Sequence, residues 1–121
     1  MPRRNSQSHL LQAERSEAFL KLLPEDQPYR EWVIVVLFYC ALHYVEAFLV
    51  TKNGDYRNHD FRRNEMKRHA ETSAILVAYH QLQKAADEAR YEGTEFRQAD
   101  IDGYQPLFEQ VKSAMRRAVQ A

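Results

Sequence analysis

The sequence predicts an all-α fold, an antiparallel up-down four-helix bundle, and three observations lead there. Only three glycines occur in 121 residues, well under the usual share of about 7%. No stretch carries the close-set turn residues that a β-sandwich or barrel needs. Apolar residues recur at spacings of three and four over long segments rich in Ala, Leu, Glu, Arg and Gln, the pattern and the residues of amphipathic helices. The length predicts one domain over residues 1–121, large enough for a self-sufficient core, with residues 1–7 flexible.

The first helix is expected from about Ser8 to Leu23, with an apolar stripe of Leu11, Ala18 and Leu22 flanked by Leu10, Phe19 and Leu23. Pro24 ends it, because the residue before proline is pushed out of the helical region, and a short EDQP turn follows. The second element, Tyr29 to about Lys52, is the most apolar. Trp32 to Val50 is 19 residues with two strongly polar side chains, His43 and Glu46. WVIVVLFY alone would suit a buried strand. The unbroken continuation into CALHYVEAFL favours a single buried helix at the centre of the bundle. A membrane span is long enough but would have to hold the charged Glu46 within its apolar stretch, at a cost of up to about 3 kcal/mol.

Asn53-Gly54-Asp55 stops that helix. A third helix is expected from between His59 and Asn64 to about Tyr91, its core stripe being Ile75, Tyr79, Leu82, Ala86 and Ala89, and Glu92-Gly93-Thr94 ends it. His69, Ser73, His80 and Asp87 would form a polar line along the same helix. The last helix is capped by Asp100 or Asp102 and carries Tyr104, Leu107, Phe108, Val111, Met115 and Ala118 on its apolar face.

Seventeen basic and seventeen acidic residues cancel, which excludes a globally basic nucleic-acid binder. The distribution is uneven. Residues 52–70 hold six Lys/Arg against three Asp/Glu, and residues 84–102 reverse that ratio. Cys40 is the only cysteine, so no disulfide framework and no multi-thiolate metal site is expected. The polar N-terminus lacks the apolar core of a secretory signal, and the expected compartment is the cytoplasm.

Tyr39, His43 and Glu46 stand at i, i+4 and i+7 of the second helix and share a face. A carboxylate on so apolar a helix needs a cationic partner, and Arg57, Arg62 and Arg63 are the nearest in sequence. His43-x-x-Glu46 reverses the Glu-x-x-His order of di-iron bundles, and no second such pair occurs, so neither a metal nor a cofactor is expected. Between Arg57 and His69, seven of thirteen residues are Arg, Lys or His. Histidine titrates near neutral pH and arginine grips phosphate with two N–H groups. Such a pair can cleave RNA without metal, one group moving the proton and the other steadying the charged phosphorus centre. The bland reading of the same segment is a solvated, charge-rich helix start.

FYCALHYVEAFL (38–49), a glycine turn, NHDFRRN (58–64) and a long helix closing in DEARYEG (87–93) together make the chain resemble the HEPN superfamily (higher eukaryotes and prokaryotes nucleotide-binding domains), in particular its small prokaryotic members. The likeness covers Tyr29 to Gly93, about half the chain. It implies a helical bundle that dimerises. It also implies either metal-independent ribonuclease activity, of a toxin–antitoxin or defence type, or a non-catalytic binding or dimerisation role. Active members pair an Arg, often followed by Asn or His, with a His a few residues on. Here Arg63-Asn64 precedes His69 by five intervening residues and Arg62 precedes it by six. The family motif usually lies later in the domain. The small members instead show the His-x-x-Arg pattern that His59 and Arg62 match.

The site so expected is a cleft between the Tyr39/His43/Glu46 face and the 57–69 segment. Arg62 or Arg63 would hold phosphate, His59 or His69 would move the proton and Asn64 would orient. Arg57 and Arg68 would add binding charge. The expected ligand is RNA or a nucleotide, in a homodimer away from any membrane. The alternative is a protein-interaction module in which the same cluster is structural.

Overall fold

The computed structural model describes residues 5–25, 27–53 and 58–120. Among them all regular structure is helical: α1 (Ser6–Leu22), α2 (Arg30–Thr51), α3 (His59–Lys67), α4 (Ala70–Ser73), α5 (Leu76–Tyr91) and α6 (Gln98–Gln120). The all-α class therefore holds, with six helices in place of four. The Gly54–Arg57 stretch, including the anticipated contribution of Arg57, lies outside the described residues.

Helix α2 is the hub, packed against α1, α5 and α6. Its Phe38, Tyr44, Phe48 and Leu49 meet Tyr79 and Leu82 of α5 and Phe108, Val111 and Met115 of α6 in one buried cluster. The Phe38 and Tyr79 rings lie 5.5 Å apart at 56°, a tilted arrangement that aromatic quadrupoles favour. By length and composition α2 is apolar enough to cross a membrane, but 72% of its apolar window is buried within the molecule. The strand reading of WVIVVLFY does not hold: helix-long continuity outweighs β-branching there.

Local chemistry sets the ends. Asn5 caps α1 by accepting from the Ser8 N–H, and Asn58 caps α3 by accepting from Phe61. Asn53 takes the left-handed region after α2 (φ 54°) and Gly93 does so after α5 (φ 65°), as helix C-termini commonly require. Helix α6 starts earlier than expected. Asp100 is not its cap but its third residue, accepting the Arg97 N–H at 2.7 Å, the returning half of a capping box. Phe96 pins the preceding loop into a small second cluster with Ile34, Ala85 and Ile101.

Two further expectations are corrected. Helix α1 turns its other face inward: His9, Ala13 and Glu17 are buried, while Leu11, Phe19 and Leu22 are 57%, 51% and 83% exposed. Counting apolar residues picked the outer face because the inner one carries polar groups that find partners on α2 and α6. The single third helix is broken into α3, α4 and α5. At the first break His69 is extended (φ −119°, ψ 133°). The buried Thr72 hydroxyl donates to the Met66 carbonyl at 2.7 Å and lies 3.3 Å from that of His69. Side-chain bonds of this kind compete with the helical ladder. The expected alignment of His69 with His80 along one helix is lost with the break.

Candidate functional site

Three polar assemblies surround α3. The first is buried and centres on Glu46, whose side chain is 8% exposed. Helix α2 brings it inward one turn after His43, and α3 brings Arg62 against it. Arg62 donates from Nη2 to Glu46 Oε1 at 2.9 Å. Of the arginines named from the sequence, Arg62 makes this ion pair, and Arg62 is itself buried. Separating such a pair costs about 3–5 kcal/mol, because the remaining charge stays buried. On the other oxygen, Oε2, converge His9 Nδ1 at 3.1 Å and His43 Nδ1 at 3.6 Å. The two imidazole nitrogens lie 3.2 Å from each other, with rings stacked at 28°. His9 was not foreseen. Its one legible trace is the i, i+4, i+8 set His9–Ala13–Glu17, which reads as a face only once the polar partners are known.

Arg62 also approaches His59, Nη1 to Nδ1 at 2.8 Å. A guanidinium can only donate, so His59 Nδ1 must accept and the ring's proton sits on Nε2. Burial, then the positive charge of Arg62, lowers the His59 pKa below its ordinary 6.5. His59 is thus a neutral ring whose basic nitrogen is already engaged.

The second assembly is an open groove of about 620 Å³ between α3 and α5, lined by Asp60, Arg63, Asn64, Lys67, Leu76, Val77, His80 and Gln81. The i, i+1 and i+4 placing of Arg63, Asn64 and Lys67 on α3 brings three polar groups to the groove, and α5 supplies His80 opposite. Arg63 Nη1 lies 3.5 Å from His80 Nδ1, and Arg63 Nη2 donates to Asp60 Oδ1 at 2.7 Å. The Asp60 side chain is 84% exposed. Such a surface pair is worth at most about 1 kcal/mol, so a phosphate can take the guanidinium from it. Val77 is largely exposed and offers an apolar wall beside the cations.

The third assembly is a stack at the end of α5. Arg90 donates to the Tyr39 hydroxyl at 2.7 Å and to Asp87 at 2.9 Å. Its guanidinium carbon lies 5.6 Å from the Tyr39 ring centre and 5.0 Å from that of Tyr91, within cation–π reach.

The expected cleft is therefore divided. Tyr39 belongs with Arg90, while His43 and Glu46 belong to the buried cluster. His69 sits at the α3–α4 junction, its Nε2 3.9 Å from Glu65 Oε2 and its ring edge-on to Phe48. Arg68 bonds Glu65 at 3.0 Å with 72% of its side chain exposed. Arg63 and Asn64 line the groove together with His80, a histidine that the sequence offered only as part of a polar line. Cys40 is buried and its thiol is raised to about 12, chiefly by that burial, so it is inert at neutral pH. No family model, curated protein or solved structure matches this chain.

Proposed function

We propose that this is a HEPN-like, cytoplasmic helical domain that binds RNA or a nucleotide through its phosphate, in the α3–α5 groove. In this reading α1, α2, α5 and α6 are the four staves of an up-down bundle, and α3 and α4 are an elaborated connection that presents the groove. The observation carrying the reading is the Arg63–His80 approach of 3.5 Å in an open groove that also holds Lys67 and Asn64. Arg63 and Lys67 take the phosphate oxygens and Asn64 orients the phosphate or sugar. His80 is within reach of a bound phosphodiester and carries the proton, a role for which His59 is poorly placed. Endoribonuclease activity of a toxin–antitoxin or defence type is the catalytic extension of this reading.

Incubating the pure protein with a panel of RNAs in EDTA tests the chemistry, with His80→Ala, His69→Ala and His59→Ala in parallel. Cleavage lost in His80→Ala alone supports the assignment. No cleavage by wild type reduces the reading to binding, and unchanged RNA affinity in Arg63→Ala would remove that as well.

A second reading has its own observation. The outward apolar face of α1, Leu11, Ala18, Phe19 and Leu22, suits a non-catalytic interaction module or the interface of a homodimer.

A further inference from the structure

We propose that His9, His43 and Glu46 form a binding site for a divalent first-row transition metal, zinc foremost, between α1 and α2. Each residue offers one ligand atom to a common centre. The three atom pairs are His9 Nδ1–Glu46 Oε2 at 3.1 Å, His9 Nδ1–His43 Nδ1 at 3.2 Å and His43 Nδ1–Glu46 Oε2 at 3.6 Å. Zinc bonds to imidazole nitrogen and carboxylate oxygen are about 2.0–2.1 Å, so two ligands on a tetrahedral ion lie roughly 3.3–3.4 Å apart. The triangle brackets that length on its three sides.

Proton bookkeeping points the same way. The ionised carboxylate is acceptor-only, and a neutral imidazole carries a proton on one nitrogen alone. If one Nδ1 is protonated, the other Nδ1 and the carboxylate oxygen face each other as acceptors. If both are protonated, two N–H groups face each other at 3.2 Å. If neither is, all three edges are acceptor against acceptor. A cation at the centre makes all three contacts favourable.

The surroundings suit an ion. The side chains of His9, Glu46 and His43 are 3%, 8% and 17% exposed, so the charge of the ion would act in a poorly screened interior. Arg62 holds the other oxygen of Glu46 at 2.9 Å, the outer-sphere bond that commonly fixes a ligating carboxylate. Two imidazoles and one carboxylate select zinc or a neighbouring transition ion over magnesium or calcium, which take oxygen ligands. Three protein ligands would leave one position of a four-coordinate ion to water. The site lies apart from the α3–α5 groove, and its test is independent of RNA binding.

The full chain, stripped with chelator and exchanged into metal-free buffer, is titrated with zinc chloride by calorimetry, and cobalt is added to a second sample to record its visible spectrum. One zinc per chain, a raised melting temperature, tetrahedral cobalt bands and no response to magnesium are expected. His43→Asn, at the most exposed ligand, and His9→Gln should each weaken zinc by at least about tenfold. His69→Gln and His80→Gln should leave it within twofold. Circular dichroism checks that each variant is folded, and His43→Asn carries the test if His9→Gln is not. Absence of zinc uptake by folded wild type overturns the proposal. So does uptake that survives in His43→Asn or that depends on His69 or His80.

Discussion

His59 illustrates how one side chain can satisfy a sequence motif and yet be chemically committed elsewhere. Its spacing from Arg62 is the His-x-x-Arg pattern, and the two do meet, at 2.8 Å. Yet Arg62 is fastened to Glu46 and donates to the nitrogen that a general base would use. The consequence is a pH dependence. The folded pKa of His59 lies below the ordinary 6.5, from burial first and then from Arg62, Arg90 and Arg63, with Asp87 opposing. The unfolded chain therefore binds the proton more readily. The stability contributed by the neutral ring is fully present above pH about 6.5 and is lost as pH falls from there toward the folded pKa. Urea unfolding at pH 7, 6 and 5 should show stability falling with acidity, and His59→Gln should flatten that fall. An equal slope in the variant would mean that the acid sensitivity arises elsewhere. Glu46 shows the other side of residue-scale reasoning. That a carboxylate in so apolar a helix needs an arginine was legible, because burying a lone charge is prohibitive. That His9 would join it was not, since the pairing depends on how α1 rolls against α2.

Among the elements, α2 and α6 were legible because their apolar residues outnumber every competing pattern. Helix α1 was not, because its buried face is partly polar. Tyr44 donates to Glu17 at 3.1 Å and Lys112 to the same carboxylate at 2.6 Å, so α6 completes a face that periodicity alone scores as solvent. The α3–α4–α5 break was equally hidden, since no Gly or Pro stands between 59 and 91. At the α3–α4 junction a hydroxyl competes with the helical ladder. Thr72 is fully buried and bonds the Met66 carbonyl six residues back, with the His69 carbonyl near. Thr72→Val keeps the shape and removes the donor, leaving a buried carbonyl without that partner. The expected loss is roughly 1–3 kcal/mol, read by urea unfolding. If Val is neutral there, the break is set by packing of Met66 and Ile75 rather than by the hydroxyl.

At the scale of the whole molecule, seventeen charges of each sign leave no net field to draw in an anion, so any affinity for RNA must come from a few local contacts. The structure makes that local charge countable. Within the 52–70 segment Arg62 is consumed by Glu46, and Arg68 is paired with Glu65. Arg63 and Lys67 are the cations that line the α3–α5 groove. On a single strand each phosphate neutralised lowers the slope of log affinity against log salt by about 0.7. Two such contacts give an expected slope of about −1.4, far shallower than that of a dedicated nucleic-acid binder. Lys67→Ala should bring it to about −0.7 and weaken binding similarly for every RNA sequence, because a phosphate contact carries no base information. Arg68→Ala, equally basic but turned away to Glu65, should leave the slope unchanged. Fluorescence anisotropy with a short labelled RNA at salt concentrations from low to physiological reads all three values. A steep wild-type slope that falls in Arg68→Ala would place the contact surface on the outer side of α3. A slope near zero would leave the groove to neutral ligands and favour the interaction-module reading.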